Sequence, residues 1–365
     1  MKTLICGLGI LAAALLVRAQ NNPASSQNDA VRQQNQVEQN RRELVPGDNV
    51  PALFEDEDAD LGPQSILRQR KHRWFRISGD EQFYYTDNMF FESDDLARLF
   101  GRPEPVEAAV SVATLEAALQ SRPCVTRFAS YRAEAGYRHQ FFNYFGDDED
   151  LGSPGFGVPR LQLSDFDFDA STAFADVLAQ TAHYQFRVGF EYGRLLGNER
   201  TPTGTIIDDD YTEFYRELVP RWSVQRNFRI HDRSQLSIAY LGSYHFTDED
   251  ELVFFDPGAG RFRSGFEDRS ERIEHAALVS WSVTLPGDVV VQPYYRFQYT
   301  EFTELPGGGD EDEFLHTAGI GLGWYPCANF SARVFANYNW NETDSAFTEY
   351  EQFNGGGGVN VTFRF

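Results

Sequence analysis

The chain ends in the stretch Val359-Asn360-Val361-Thr362-Phe363-Arg364-Phe365. Apolar and polar residues alternate there with a period of two, so four apolar side chains share one face and three polar side chains share the other. This is the pattern of a β-strand with one apolar side. A soluble protein rarely ends in this way, and the nature of the surface that covers the apolar face becomes the central question.

The amino terminus predicts export. Lys2 precedes an apolar run from Leu4 to Val17, and Val17-Arg18-Ala19 offers a small-residue cleavage site. These features predict a secretory signal peptide over residues 1–19. The run is too short for a transmembrane helix, and no later stretch approaches the roughly 18 apolar residues that such a helix needs.

The composition disfavours some partners. The chain of 365 residues has a formal charge of -23 and 15% aromatic residues. Nucleic acids and anionic membrane surfaces would repel such an acidic chain. Lys2 and Lys71 are the only lysines, so nearly every cation is an arginine, whose planar guanidinium suits a crowded polar interior.

Residues 20–72 form a separate segment. Residues 20–45 are rich in Gln, Asn and Arg and have almost no large apolar residues, so they cannot bury enough surface to fold alone. We predict a disordered periplasmic leader. The prolines, acids and few apolar residues that follow are compatible with a linker or with a plug that docks at a barrel mouth.

From residue 73 onward, two-faced segments alternate with turn residues. The pattern predicts about twelve strands, at 73–86, 105–118, 126–145, 161–175, 181–196, 212–230, 233–247, 269–285, 288–303, 313–325, 328–342 and 352–365. Residues 112–119 are also compatible with a helix, and residues 176–179 interrupt the fourth pattern. Counts of ten to fourteen strands therefore remain compatible with the sequence.

The predicted connections alternate in length. Long connections fall at 87–104, 146–160, 197–211, 248–268, 304–312 and 343–351, and short ones at 119–125, 176–180, 231–232, 286–287 and 326–327. Bacterial membrane barrels have short periplasmic turns and long external loops, so an even strand number predicts that both termini are periplasmic. The long loops carry acid runs, which are either simply solvated or form an outer vestibule that collects cations or faces lipopolysaccharide.

The aromatic residues favour a membrane barrel over a soluble β-sandwich. Both alternate apolar and polar residues, but here aromatics such as Trp74, Trp324 and Tyr192 cluster at strand ends. Membrane barrels place aromatic girdles where their apolar band meets the two interfaces. We therefore predict an all-β fold, an antiparallel transmembrane β-barrel over residues 73–365.

Charged residues on the polar faces are the candidate functional residues. The predicted pore-lining side chains are Arg132, Arg138, Arg187, Glu191, Arg221, Arg272, Glu274, Arg296, Arg333 and Arg364. Two interpretations stay open, because arginine–carboxylate pairs can fill a lumen and an arginine track can pass anionic or polar solutes. No cofactor is expected.

Other motifs add little chemistry. Asp165-Phe166-Asp167-Phe168-Asp169 resembles the opening of a calcium loop, but Ala170 stands where that loop requires glycine, and no metal site is predicted. The seven histidines show no serine or carboxylate constellation, so we expect no enzyme. Gly355–Gly358 predicts a flexible or tightly packed strand entrance. Cys124 and Cys327 are a candidate disulfide, which requires their turns to fold inward.

The segment Phe83–Phe91, FYYTDNMFF, resembles the aromatic-x-Asp-Asn motif that follows the first strand in β-barrel porin families of Gram-negative-type envelopes. The closing strand resembles that of bacterial outer-membrane barrels, which typically end in Phe and use this strand as an assembly signal. The resemblance covers residues 73–365 and implies an outer-membrane location with a porin-like or exopolysaccharide-associated role. It transfers no catalytic or binding residue.

The resemblance also implies partners. Phe363 and Phe365 would address the barrel-assembly machinery, and the barrel would contact outer-membrane lipids and lipopolysaccharide, with periplasmic or cell-wall components as further candidates for residues 20–72. The first hypothesis is a narrow channel for small polar or anionic solutes with an arginine-lined lumen. The alternative is a non-conducting structural or export-associated barrel.

Overall fold

The computed structural model describes residues 27–32, 73–91, 93–94, 97, 104–146, 163–181, 183–200, 206–249, 253–256, 261–264, 271–303, 312–343 and 349–365. The predicted signal peptide, most of residues 20–72 and the acid run at 147–150 lie outside the described residues.

The described chain is mostly β-strand. In chain order the strands are β1 Phe75–Thr86, β2 Ala108–Gln120, β3 Cys124–Val125, β4 Ser130–Phe145, β5 Phe168–Gln180, β6 Tyr184–Arg200, β7 Ile206–His231, β8 Ser234–Glu249, β9 Val253–Asp256, β10 Arg261–Ser264, β11 Arg272–Leu285, β12 Val289–Phe302, β13 Asp312–Cys327, β14 Phe330–Thr343 and β15 Tyr350–Arg364. Residues 27–32 are helical, and Leu163–Phe166 form a 3-10 turn.

Twelve of the strands form one closed antiparallel barrel. Their order is β2-β1-β15-β14-β13-β12-β11-β8-β7-β6-β5-β4, and pairing of β2 with β4 closes the ring. The short strand β3 adds to the start of β4, while β9 and β10 form a separate hairpin. The predicted all-β barrel of about twelve strands is confirmed. Closure leaves no barrel strand with an unpaired edge.

Several boundaries differ from the prediction. The turn predicted at 176–180 is wrong, because β5 continues to Gln180 and the turn follows at 181–183. Asp176 resembles a turn residue in sequence, yet its carboxylate points inward and accepts hydrogen bonds from Arg221 at 2.7 and 3.2 Å. The segment 112–119 is strand and not helix, and most of the loop predicted at 197–211 is strand.

The connections lie at two ends of the barrel. One end, called here the turn end, carries the connections 121–129, 181–183, 232–233, 286–288 and 328–329. The other, called here the loop end, carries the six connections that follow β1, β4, β6, β8, β12 and β14. The barrel begins and finishes at the turn end, where Phe75 N–H donates to the Phe365 carbonyl at 3.2 Å and Phe365 N–H donates to the Phe75 carbonyl at 2.8 Å.

The barrel is apolar outside, and its inner face is polar except for a buried apolar cluster that includes Val110, Phe142 and Phe168. Outward side chains such as Val188 and Leu115 are 62% and 59% exposed, whereas inward side chains such as Gln292 and Gln352 are 0% and 1% exposed. A soluble protein buries its apolar side chains and exposes its polar ones. A closed barrel with the opposite distribution matches a lipid environment around its wall.

No helix among the described residues combines the length and the apolar character needed to cross a membrane.

Aromatic side chains mark both rims of the outer surface. Trp74, Trp324 and Phe365 are exposed at the turn end, and Tyr192 and Phe353 are exposed towards the loop end. Aromatic rings concentrate where an apolar band meets polar interfaces. Their positions therefore agree with the girdles predicted from the sequence.

The glycine run Gly355–Gly358 lies in the middle of β15, and not at its entrance. A Cβ added at Gly358 would lie 2.7 Å from the Glu81 carbonyl oxygen of β1, and one at Gly357 would lie 2.8 Å from the Arg333 carbonyl oxygen of β14. The run is thus a tightly packed segment. Glycine allows β15 to approach both neighbouring strands closely.

We predict that Gly358→Ala lowers the free energy of unfolding by about 1–3 kcal/mol, because the added methyl group overlaps backbone atoms that cannot move independently. Urea unfolding of the refolded barrel in detergent micelles measures the effect. The matched control is Gly79→Ala on β1, where the nearest atom to the added Cβ is a Leu115 methyl group at 3.9 Å. Equal destabilisation by both changes would contradict the packing argument.

Candidate functional site in the lumen

The predicted pore-lining residues all occupy inward-facing positions of their strands. Arg132, Arg187 and Arg364 lie near the turn end and are half-buried. The other seven lie further from the turn end. Of these, Glu191, Arg272, Arg296 and Arg333 are buried. Their inward orientation follows the period-two alternation of the strands. It did not reveal their partners.

Glu191 is the centre of one group of ion pairs. Its carboxylate is 3.3 Å from Nη2 of Arg138, contacts Nη1 of Arg221 and lies 3.7 Å from Nε of Arg32. The first two arginines come from β4 and β7, and the third belongs to the leader. A single buried carboxylate therefore links two other strands and a segment outside the barrel wall.

Glu217 is the centre of a second group. Its carboxylate lies 2.6 Å from Nη1 of Arg32 and 3.0 Å from Nδ1 of His245. The other ring nitrogen of His245 lies 3.5 Å from Glu274, and the Nε–H of Arg272 donates to Glu274 at 2.7 Å. These contacts run continuously from β7 through β8 to β11.

Two further clusters complete the charged lumen. Arg76 lies 2.6 Å from both Glu116 and Glu134. On the other side, Arg333 donates to Asp80 through two nitrogens, each at 2.7 Å. Most lumen arginines in the described part of the chain are therefore neutralised by carboxylates, and they do not form a row of free cations.

Residues 27–32, here called the lumen helix, lie inside the barrel. The Gln27 side chain donates to the Met89 carbonyl, just after β1, at 3.1 Å and accepts from the hydroxyl of Tyr84 on β1 at 2.8 Å. At the other end Arg32 contacts Glu191 and Glu217 of β6 and β7. Because β1 and β7 are nearly opposite in the ring, the lumen helix crosses the lumen.

A second ion pair fixes the lumen helix. The Arg272 Nη2 donates to the Asp29 carboxylate at 2.6 Å, and Asp29 also pairs with Arg32 at 3.3 Å within the helix. The sequence did not predict these contacts of the lumen helix with the barrel wall. Its only signal was a carboxylate and a guanidinium three residues apart in a polar leader, which is compatible with many structures.

Burial and neighbouring charges shift the pKa values of Asp29 and Arg32 in the lumen helix. Burial raises the pKa of the Asp29 carboxyl above its ordinary value, although Arg272 and Arg32 act in the opposite direction. Burial would lower the pKa of the Arg32 guanidinium, but Glu217 and Glu191 hold it above its ordinary value. Both groups therefore lie where the wall and the helix exclude most water.

One serine, histidine and aspartate do come together, contrary to the sequence analysis. On the outward face, Nδ1 of His139 lies 2.8 Å from the Ser171 hydroxyl and Nε2 lies 3.6 Å from the Asp169 carboxylate. Ser171 is only 5% exposed, and its hydroxyl also accepts from Tyr137 at 3.0 Å. The Ser171 hydroxyl is therefore not an accessible nucleophile. These hydrogen bonds instead satisfy polar side chains that lie on the largely apolar outer face.

The cysteines and the calcium-like motif have other roles. Cys124 in β3 and Cys327 at the end of β13 are exposed free thiols, so the structure does not contain the candidate disulfide. The Asp167 carboxylate accepts from the Tyr144 backbone N–H at 2.8 Å. Within the described ranges, no group of three or more His, Cys, Asp or Glu residues is arranged to hold a metal ion.

The Asp-Asn motif joins the first and last strands. The Asp87 carboxylate accepts from the Phe353 backbone N–H at 2.7 Å, and the Asn88 amide donates to the Glu351 carbonyl at 3.0 Å. In return, the Gln352 amide donates to the Asn88 carbonyl at 2.7 Å. The motif thus has a structural role at the loop end, which its resemblance to porin families did not specify.

Comparison with known proteins gives structural matches only. No protein-family model matches the chain, and no curated protein matches it. The β-domain of the Bordetella autotransporter BrkA is 13% identical with a TM-score of 0.40, covering 80% of this chain and 100% of that chain. An outer-membrane channel from Pseudomonas putida F1 is 7% identical with a TM-score of 0.43, covering 83% and 100%.

A third match is the KdgM porin in complex with disordered oligogalacturonate, which is 9% identical with a TM-score of 0.34 and covers 78% of this chain and 99% of that chain. Similarities at this level do not extend to function. The chain's own features define its class: a closed twelve-strand wall, an apolar exterior and a polar lumen. They are those of a transmembrane β-barrel of the outer-membrane type.

We predict that Glu191→Gln lowers the free energy of unfolding by about 3–5 kcal/mol, because it leaves buried guanidinium groups without their shared counter-charge. Urea unfolding followed by tryptophan fluorescence in micelles measures this loss. Asp248→Asn is the control, since its pair with Arg216 is about half exposed and such pairs contribute little. A loss for Glu191→Gln no greater than for the control would show that the network is not a major source of stability.

Proposed function

We propose that the protein is an outer-membrane channel for small polar or anionic solutes and that the lumen helix closes it. The observation that carries this proposal is the bridge across the lumen, from Tyr84 on β1 through Gln27, Asp29 and Arg32 to Glu217 on β7. The segment lies where a solute would pass.

The chemistry of the bridge supports a reversible closure. The lumen helix contacts the wall through hydrogen bonds and ion pairs, including Asp29 with Arg272 at 2.6 Å and Arg32 with Glu217 at 2.6 Å, while Val31 is the one side chain of residues 27–32 in the buried apolar cluster. Water and ions can replace such contacts when the helix leaves, at a smaller net cost than their strength in isolation. An apolar seal would instead expose its apolar surface to an aqueous lumen.

One observation favours a second candidate, a non-conducting structural or export-associated barrel. Arg138 and Arg221 contact Glu191 from two different strands, and Arg76 is held between Glu116 and Glu134. Facing charges of this kind can fill a narrow barrel even without the lumen helix. Under this alternative, the leader would serve as a contact with cell-wall or polysaccharide machinery.

Orientation and partners are also proposals. We infer that the turn end faces the periplasm and the loop end faces outward, as in bacterial barrels with short inner turns. The outer surface would contact outer-membrane lipids and lipopolysaccharide. Phe363 and Phe365 would be presented to the barrel-assembly machinery, while the leader would remain available to periplasmic or cell-wall components.

For the channel, we predict that Asp29→Asn combined with Arg32→Gln in the full mature chain raises the open fraction at least about tenfold, since the ion pairs of the helix with Arg272, Glu191 and Glu217 are lost. Single-channel recording in planar bilayers measures the open fraction. The matched control is Arg229→Gln with Asp232→Asn, an exposed pair at the turn end with the same residue types and spacing. Absence of current in every variant, and in a chain lacking residues 20–72, would support the non-conducting alternative.

For the orientation, the two native thiols provide the measurement. Because Cys124 and Cys327 are exposed at the turn end, a membrane-impermeant maleimide should label them only after the outer membrane is permeabilised. The control is Thr303→Cys in a chain with both native cysteines changed to serine, since Thr303 is exposed at the loop end. Labelling of the native thiols in intact cells would reverse the proposed orientation.

A further inference from the structure

Arg296 differs from the other deep lumen arginines. Its side chain points inward from β12 and is 6% exposed, and its Nε and Nη1 atoms have no hydrogen-bond partner. Arg138, Arg221 and Arg272 are paired with carboxylates. Arg296 forms no ion pair with any residue that the structure describes.

The neighbouring strand provides a second unpartnered group. Thr317 on β13 is directly opposite Arg296 in the sheet register, and its buried Oγ1 also has no hydrogen-bond partner. Asn339 on β14 is opposite Thr317 in turn and is held by a 2.8 Å bond to Gln352. A guanidinium, a hydroxyl and an amide thus form one inward row at one level of the wall.

The row faces a cavity. A space of about 30 Å³ lies between the wall and the lumen helix, and Arg296, Thr317 and Asn339 line it together with Gln27 and Val31. This volume holds roughly two water molecules. It is therefore large enough for a carboxylate group or a small inorganic oxyanion while the lumen helix stays in place.

Among the described residues, Arg296 has no counter-ion of its own. Glu274 and Asp29 act on it electrostatically, but both carboxylates are already bonded to Arg272, at 2.7 and 2.6 Å. An isolated buried charge is strongly disfavoured unless it is paired and hydrogen-bonded. A small anion in the cavity would satisfy the free N–H donors of Arg296 and the hydroxyl of Thr317 together.

We propose that Arg296 and Thr317 form a binding site for a small oxyanion, a carboxylate group being the chemistry that fits. Guanidinium N–H groups bind carboxylates through charge-assisted hydrogen bonds, and the threonine hydroxyl donates a further one. The site deepens the proposed function, on which it rests for its physiological meaning, because it names the charge class of the solute. Its occupancy is nevertheless measurable in the closed barrel.

The test is equilibrium binding of acetate to the full mature barrel in detergent micelles. The thermal unfolding midpoint and titration calorimetry are followed while sodium acetate replaces sodium chloride at constant ionic strength. We expect saturable binding to the native chain and at least about tenfold weaker binding to Arg296→Gln, since a charge-assisted contact is lost. Arg229→Gln is the control, because Arg229 pairs with the exposed Asp232 at the turn end and is not among the residues that line the cavity.

A second variant keeps the test decisive if Arg296→Gln fails to fold. Thr317→Val keeps the shape of the side chain and removes a hydroxyl that has no partner, so the barrel should fold normally and bind acetate about three- to tenfold more weakly. Acetate binding that is unchanged in Thr317→Val, or an equal effect of the neutral probe glycerol, would overturn the site.

The two proposals fail separately. Acetate binding at Arg296 without current in any variant would contradict the proposed channel and support the binding site. Current without saturable acetate binding would support the proposed channel and contradict the binding site.

Discussion

The backbone hydrogen bonding of the barrel is the constraint on which the rest of the structure depends. In lipid, an N–H or C=O group without a partner has no water to bind, so a sheet has to close on itself. The pairing of β2 with β4 provides that closure. In a continuous wall, successive side chains of each strand point alternately to the lipid and to the lumen. Many charged side chains point into the lumen, where they meet one another across the ring.

The lumen has two unlike halves. The wall made of β4, β5, β6, β7, β8 and β11 carries the buried carboxylates and most of their arginines, with Glu191 and Glu217 at its centre. The wall made of β12, β13, β14, β15 and β1 is rich in amides and hydroxyls, such as Gln292, Thr317 and Gln352. The second wall also carries Arg296 and the ion pair of Arg333 with Asp80. The lumen helix contacts the first wall through Arg32 and the second through Gln27. Its two ends therefore match the two chemistries that they contact.

Much of the fold was predictable because it depends on local alternation. Each of the twelve predicted strands has a counterpart in the barrel, and the inward positions of Arg138, Arg221 and Arg333 followed from a period of two. Partners were not predictable, because an ion pair such as Arg333 with Asp80 joins residues 253 positions apart in the sequence. Asp176 was misassigned to a turn for the same reason: its buried position depends on Arg221, which is distant in sequence. The lumen helix has no periodic apolar pattern, so only contacts with the finished barrel could reveal its place.

The glycine run opposite β1 has a consequence for how the barrel is assembled. Gln82, Phe83, Tyr84 and Tyr85 are paired with four consecutive glycines, and a glycine-rich strand has few side chains with which to fix its alignment. The alignment of the first and last strands is therefore determined at the two ends of the glycine run. At one end the Phe75 and Phe365 backbones exchange hydrogen bonds, and at the other Asp87 and Asn88 bind Phe353 and Glu351. The backbone pairing of Phe365 with Phe75 thus helps to set the register of β1 against β15. This register determines which residues of the two strands are paired.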